Sequence, residues 1–277
     1  MREEATAFVP GHITGFFSAH PDDDPTKAGS RGAGLTLTDG VEVTVEPAVR
    51  AESTIVLDGE EIEIDPVTTV LETLDAPARV EAESDLPIGA GFGVSGAMAL
   101  GTALAANHVF ERKLSENELV TIAHGAEVQA GTGLGDVVAQ AHGGIPIRLE
   151  PGGPQTNTLD AIPARARVEY VTFGQLSTAE VLSGETDRLS AAGTEALSRI
   201  VEEPTLRSFM YASRRFARET GLLTEDVKGT IEDVIAVDGQ ASMAMLGETV
   251  FALGTGLSDA GYDPCVCATH PAGALLR

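Results

Sequence analysis

The sequence predicts an α+β protein. Alternating apolar–polar segments crowd residues 5–84, an alanine- and glycine-rich helical block runs from about 94 to 142, and the last third sets strand-like segments on either side of a run of helices. In chain order, "ATAFVPGHITGFFSAH" (5–20) reads as a strand, a turn at Pro10-Gly11 and further apolar chain. "GLTLTDGVEVTVEP" (34–47) alternates on both sides of Asp39-Gly40, a dipeptide that accepts the positive φ of a tight turn, so a hairpin is expected there. "STIVLDGEEIEI" (53–64) repeats the device at Asp58-Gly59, and "ARVEAES" (78–84) alternates again. A helix is expected over 94–110. A second begins at Ser115, with Glu118 three residues on as a capping box requires, and stops at Gly131. "GTGLGDVVAQAHGGIPIRLEP" (131–151) gives a glycine loop, a short helix and a strand carrying Arg148. The cluster "PGGP" (151–154) is the expected boundary between a domain of residues 1–150 and one of 151–277. Beyond it lie a strand, "RVEYVTFG" (167–174), helices near 177–183, 186–202, 204–220 and 224–236, and strand-like "ASMAML", "TVFAL" and "CVCATH".

With 277 residues, 43% of them hydrophobic, the chain can bury a sizeable core. Its charge narrows the function. Acids outnumber bases 42 to 18, for a net charge of −24, and only Lys27, Lys113 and Lys228 are lysines. The acids are dispersed, which fits a surface kept hydrated in a salty cytoplasm and disfavours nucleic acid as a partner. No apolar run reaches membrane-spanning length, so no membrane role is expected. Cys265 and Cys267 are too few for a zinc site and are expected as buried thiols in a reducing compartment. "SMAML" (242–246) is expected to pack in the core.

The stretch "LPIGAGFGVSGA" (86–97) carries the chemistry. Gly91-x-Gly93-x-x-Gly96 fits a dinucleotide fingerprint, but the strand before it is half polar and the chain beyond Glu111 is polar and then helical, so that reading fails. A P-loop is excluded because Ala97, not Lys, comes after Gly96. Two readings remain. The glycines form a tight turn for close packing, or their N–H groups and the head of the 94–110 helix cradle phosphates directly. In the second case Ser95 presents a hydroxyl to a phosphate-bound Mg²⁺.

Pro87-x-Gly89-x-Gly91-x-Gly93-x-Ser95-Gly96-Ala97 resembles the second motif of the GHMP kinases, ATP-dependent enzymes that phosphorylate small alcohols. "FVPGHITGFF" (8–17) and "LGETVFALG" (246–254) resemble the family's N- and C-terminal motifs, in the right order. Within the family, "PGHITGFF", "GSRGAG" and "AHGAEVQAGTGLGDVVAQAHGG" look most like the archaeal members that act on pantoate in coenzyme A synthesis. The resemblance implies a ribosomal protein S5 domain 2-like N-terminal domain, a ferredoxin-like C-terminal domain, ATP and Mg²⁺, pantoate as acceptor, and a homodimer in the cytoplasm. Homoserine, mevalonate or sugar kinases would share the same loop, and a non-catalytic ATP sensor could use the same fold.

Carried over residue by residue, the resemblance assigns Pro87, Gly89, Gly91, Gly93, Ser95 and Gly96 to ATP, Ser95 and Glu127 to Mg²⁺, and Asp136 to the acceptor hydroxyl. By itself an aspartate opening a helix reads as an N-cap, and a helical glutamate as a solvated face residue. Glu127, however, sits among Gly125, Ala126, Val128 and Ala130, which suggests burial. His124, one turn earlier, either contacts substrate, holds Glu127, or simply packs. A carboxylate substrate in so acidic a protein needs a dedicated cation, and Arg148 in apolar "GGIPIRL" suits that task. Ser30 and Arg31, in glycine-flanked "AGSRGAG", are further substrate candidates. His12 stands where many family members carry lysine, and Glu248 where proline is common.

Overall fold

Strand β1 (Ala5–His20) is buried without a break from Ala7 to Ser18, so both of its faces are covered. In the computed structural model, which describes residues 2–49, 52–175 and 186–277, it belongs to the first of two sheets. Its partner β2 (Gly29–Pro47) runs antiparallel along nearly its whole length. The sheet continues through β5 (Ala78–Ser84) to β3 (Thr54–Leu57) and β4 (Glu60–Glu61). β6 (Pro146–Glu150) pairs with the start of β2 and carries β7 (Thr158–Ala161). All of these pairings are antiparallel except β3 with β5. Helix α1 (Asp65–Thr73) follows β4, and α2 (Val94–Val109), α3 (Glu116–Ala130) and α4 (Asp136–His142) lead on to β6.

The expected hairpin at Asp39-Gly40 does not form, and neither does the turn at Pro10-Gly11. The two dipeptides lie at the same bulge: Pro10 pairs with Gly40 and His12 with Thr36, so Leu37–Asp39 oppose Gly11 alone. A bulge bends long strands, and proline with no N–H to donate is tolerated there. Gly40 serves close approach, since a Cβ on it would sit 2.4 Å from the Val9 carbonyl. The turn at Asp58-Gly59 does form, with φ of 51° and 85°.

The chain passes from the first sheet to the second between Ala161 and Arg167. The Pro/Gly cluster at 151–154 lies between β6 and β7, which pair with each other. The second sheet has the order β11 (Cys265–Ala268), β8 (Arg167–Gln175), β10 (Gly247–Leu253), β9 (Gln240–Ala244). Helices α5 (Thr186–Glu202), α6 (Leu206–Thr220) and α7 (Glu225–Ala236), with the short α8 (Gly256–Asp259), accompany it. The helix expected at 177–183 lies outside the described residues. α5 and α6 pack on β1, and α6 also packs on β9. Phe16, Phe209 and Phe251 stack in succession, so β1, α6 and β10 share one core. The C-terminal β12 (Leu275–Leu276) returns to pair with β1. Cys267 is buried as expected, whereas Cys265 is exposed, and both are free thiols. Among the described residues no helix is long and apolar enough to cross a membrane.

Candidate active site

The glycine loop lies where the two sheets meet. Gly89, Gly91 and Gly93 have φ of 75°, 89° and 65°, a left-handed value at every second residue that only glycine adopts readily. Successive N–H groups in such a loop can turn toward one concavity. Gly93 caps α2, whose first-turn N–H groups lack partners within the helix. From the other sheet, the β9–β10 turn presses on the loop: a Cβ on Gly247 would lie 2.0 Å from the Ala90 carbonyl, and Thr249 donates to that same oxygen at 2.8 Å. The "LGETVFALG" segment thus closes on the loop.

The loop borders a cavity of about 560 Å³, lined also by Ser95, Glu127, Thr132, Asp136, Met245 and Leu246. Ser95, in the first turn of α2, donates to Glu127 Oε1 at 2.5 Å. Glu127 is 2% exposed, and burial pushes its carboxyl pKa up to about 7. The Ser95 hydrogen bond opposes that rise, and the neighbouring Asp136 charge adds to it. Between the two acids is a space kept clear by Gly133, where a Cβ would come 2.5 Å from Glu127 Oε2 and 3.4 Å from Asp136 Oδ2.

Asp136 is the first residue of α4, after the N-cap Gly135. It accepts a hydrogen bond from His12 Nδ1 at 2.7 Å. Burial alone would raise its pKa. His12 and the nearby Arg148 guanidinium outweigh burial and hold the carboxyl below its ordinary value. Gln140, one turn further along α4, donates to the Gly93 carbonyl at 2.9 Å and so ties this helix to the glycine loop.

A narrow recess of about 20 Å³ adjoins the cavity through shared Thr14, Asp136 and Leu246, and reaches Ser30, Leu134 and Arg148. Arg148 is 2% exposed, and among the described residues it is the largest fully buried side chain and its Nε and Nη1 have no hydrogen-bond partner. Ser30 Oγ donates to the Leu134 carbonyl at 3.3 Å.

The fold therefore gathers Gly89, Gly91, Gly93, Ser95, Gly96, Glu127, Asp136, Ser30 and Arg148. Three expected contacts are not gathered. Pro87 stands exposed at the loop's start, outside the cavity lining. Successive strand residues point to opposite faces, so with Ser30 inward Arg31 turns outward, partly exposed and ion-paired with Glu150. His124 is buried and hydrogen-bonds the Ala28 carbonyl through Nε2 at 2.8 Å, holding the start of β2 instead of Glu127. Conversely, the site includes residues to which the sequence reading gave no role: His12, Thr14 and Gln140. His12 and Thr14 carried a signal, as polar residues two apart in the otherwise apolar run from Ala7 to Phe17. Within "SMAML", Met243 and Met245 are buried in the core as expected, and Met245 and the partly buried Leu246 also line the cavity.

Residues 65–144 match the family described as "GHMP kinases N terminal domain". The pantoate kinase of Methanospirillum hungatei is 37% identical over 90% of this chain and 87% of its own. That of Thermococcus kodakarensis is 37% identical over 89% and 86%. A solved structure described as a phosphotransferase related to the CoA biosynthesis pathway superposes with a TM-score of 0.88 at 31% identity, covering 99% of this chain and 98% of its own.

Proposed function

The chain belongs to the GHMP kinase family, and from that premise and the site's geometry we propose that it transfers the γ-phosphate of ATP to the primary hydroxyl of pantoate. One observation carries the choice of acceptor: a fully buried arginine, Arg148, keeps two donors unpaired beside Asp136. Buried donors without partners are costly, and a carboxylate entering the recess would accept hydrogen bonds from the guanidinium. Pantoate carries such a carboxylate, and seating it requires the recess to widen. Ser30 stands beside Arg148 as a second contact, since a Cβ on Gly135 would lie 2.6 Å from both side chains.

The polyphosphate fits the amides of residues 89–96 and the head of α2, where side chains are absent or small. The donor set also suits a divalent cation. Ser95 and Glu127 offer oxygen ligands, Gly133 leaves room beside them, and a buried carboxylate with a raised pKa gains from a neighbouring positive charge. Mg²⁺ held there would neutralise charge on the transferring phosphoryl group.

Asp136 is anionic at neutral pH and accepts the hydroxyl proton as the oxygen bonds to the γ-phosphorus and the bond to ADP breaks. A carboxylate of low pKa is a weak base for an unreacted alcohol. In a loose transition state its main task is to orient the hydroxyl and take the proton late. The acid-rich, lysine-poor surface supports a cytoplasm of high salt as the working environment.

The reading is tested by incubating the purified protein with ATP and Mg²⁺ in high salt and offering pantoate, homoserine or mevalonate. Pantoate should drive ADP release, with the phosphate found on the primary hydroxyl. ADP release with another acceptor but not with pantoate would overturn the assignment.

A further inference from the structure

We propose that His12 is a positioning residue for phosphoryl transfer, a neutral imidazole whose Nδ1–H holds one oxygen of Asp136 and leaves the other free for the acceptor hydroxyl. This rests on the reading of Asp136 as the hydroxyl's partner. The side chain of His12 has no exposure to solvent, and its Nδ1 lies 2.7 Å from Asp136 Oδ1. The ring's other nitrogen, Nε2, is buried with no hydrogen-bond partner among the described residues. It points at Gly34, where a Cβ would come within 2.2 Å of Nε2 and 2.8 Å of Cε1. Gly34, the last glycine of "GSRGAG", is thus the space into which the imidazole fits.

Neutrality comes from the surroundings. His12 of β1 and Arg148 of β6 face Asp136, and Glu127 and His124 approach from α3. The Asp136 carboxylate favours a charged His12, but desolvation outweighs it, and the Arg148 cation repels a second positive charge. Burial accordingly keeps the imidazole's pKa below its ordinary value. A neutral ring with Nδ1 donating has its lone pair on Nε2 and only one bond to give, the one to Asp136. Thr14 Oγ1, 3.5 Å from Nδ1, is too distant to compete for it. Asp136 Oδ2 is the oxygen nearer the gap at Gly133, so fixing Oδ1 aims Oδ2 into the cavity.

The test compares His12→Leu, which removes the donor, with His12→Asn, whose side-chain amide places a nitrogen near the position of Nδ1. The Asp136 carboxyl is titrated by carbon-13 NMR in the full chain, a readout that needs no acceptor. Steady-state rates with pantoate and ATP are measured alongside. Losing a hydrogen bond to the charged form should raise the Asp136 pKa in His12→Leu by about one unit and move the acid limb of kcat/KM upward with it. His12→Leu should also lower kcat by about ten- to a hundredfold with KM for ATP within about twofold, and His12→Asn should restore both values. In an Asp136→Asn background, His12→Leu should cost no further activity. An unshifted Asp136 titration in His12→Leu, equal losses in the Leu and Asn variants, or additive losses with Asp136→Asn would each overturn the proposal. If His12→Leu does not fold, the Asp136 titration of His12→Asn decides: a wild-type value supports the donor role and a raised one contradicts it. Inactivity toward pantoate with the NMR shift present would count against the acceptor and leave His12's role standing.

Discussion

Replacing Glu127 with Gln should stabilise the protein while disabling it. Glu127 is 2% exposed, and burial lifts its pKa from 4.5 to about 7. At pH 4 both folded and unfolded chains hold the proton, and the carboxyl costs the fold nothing. Between about 4.5 and 7 the unfolded chain releases the proton while the folded one retains it, so stability falls as pH rises. Above 7 the full penalty applies. The difference between those values, at about 1.4 kcal/mol per pH unit, corresponds to about 3 kcal/mol. Gln keeps an oxygen for the Ser95 hydroxyl and removes the charge, so Glu127→Gln should recover most of that energy. In a chain of this size the gain is about 6 °C in Tm. The assay is thermal unfolding in high salt without divalent cations, at pH 8.5 and pH 4.5. Glu127→Gln should melt higher than wild type at pH 8.5 and level with it at pH 4.5, while turnover with Mg²⁺ falls by about a hundredfold or more. An equal Tm at pH 8.5, or the same gain at both pH values, would refute the view that a desolvated carboxylate awaits a cation there.

Other substitutions separate the roles of neighbouring residues. Asp136→Asn should leave nucleotide binding by calorimetry within about twofold and lower kcat by about a thousandfold, as loss of a proton acceptor does. Arg148→Met should raise KM for pantoate by about ten- to a hundredfold through loss of a charged hydrogen-bonded pair, with KM for ATP unchanged in steady-state assays. Gly247→Ala would place a Cβ 2.0 Å from the Ala90 carbonyl and force the glycine loop away from β10. ATP affinity measured by calorimetry should fall by about tenfold.

Much of this could be read from the sequence, for reasons that particular residues show. The α3 boundaries were legible because Ser115 and Glu118 cap locally and Gly131 ends the helix in the left-handed region, at φ 71°. β5 was legible because one of its faces is buried and the other exposed, and alternation records that. β1 and β2 misled because both faces are covered along much of their length. No period of two survives in β1, and in β2, which alternates from Val41 to Glu46, Asp39-Gly40 marks a bulge as readily as a turn. In the site, Ser95 stood out through the glycine loop and Arg148 through its apolar surroundings, whereas Glu127 and Asp136 were picked out by the resemblance to the GHMP kinases, with the small and apolar neighbours of Glu127 agreeing. Arg31 misled because its neighbour Ser30 faces inward and strand geometry sends it the other way. His12 acquires a role only when the fold brings it across 124 residues of sequence to Asp136. No spacing rule records such a contact.

The most direct measurement is a crystal structure of the protein with a non-hydrolysable ATP analogue, Mg²⁺ and pantoate. The expected result has the polyphosphate on the amides of residues 89–96, the metal against Ser95 and Glu127, the pantoate carboxylate on Arg148 and the primary hydroxyl facing Asp136. A polyphosphate bound away from that loop, or pantoate bound with its carboxylate distant from Arg148, would contradict it.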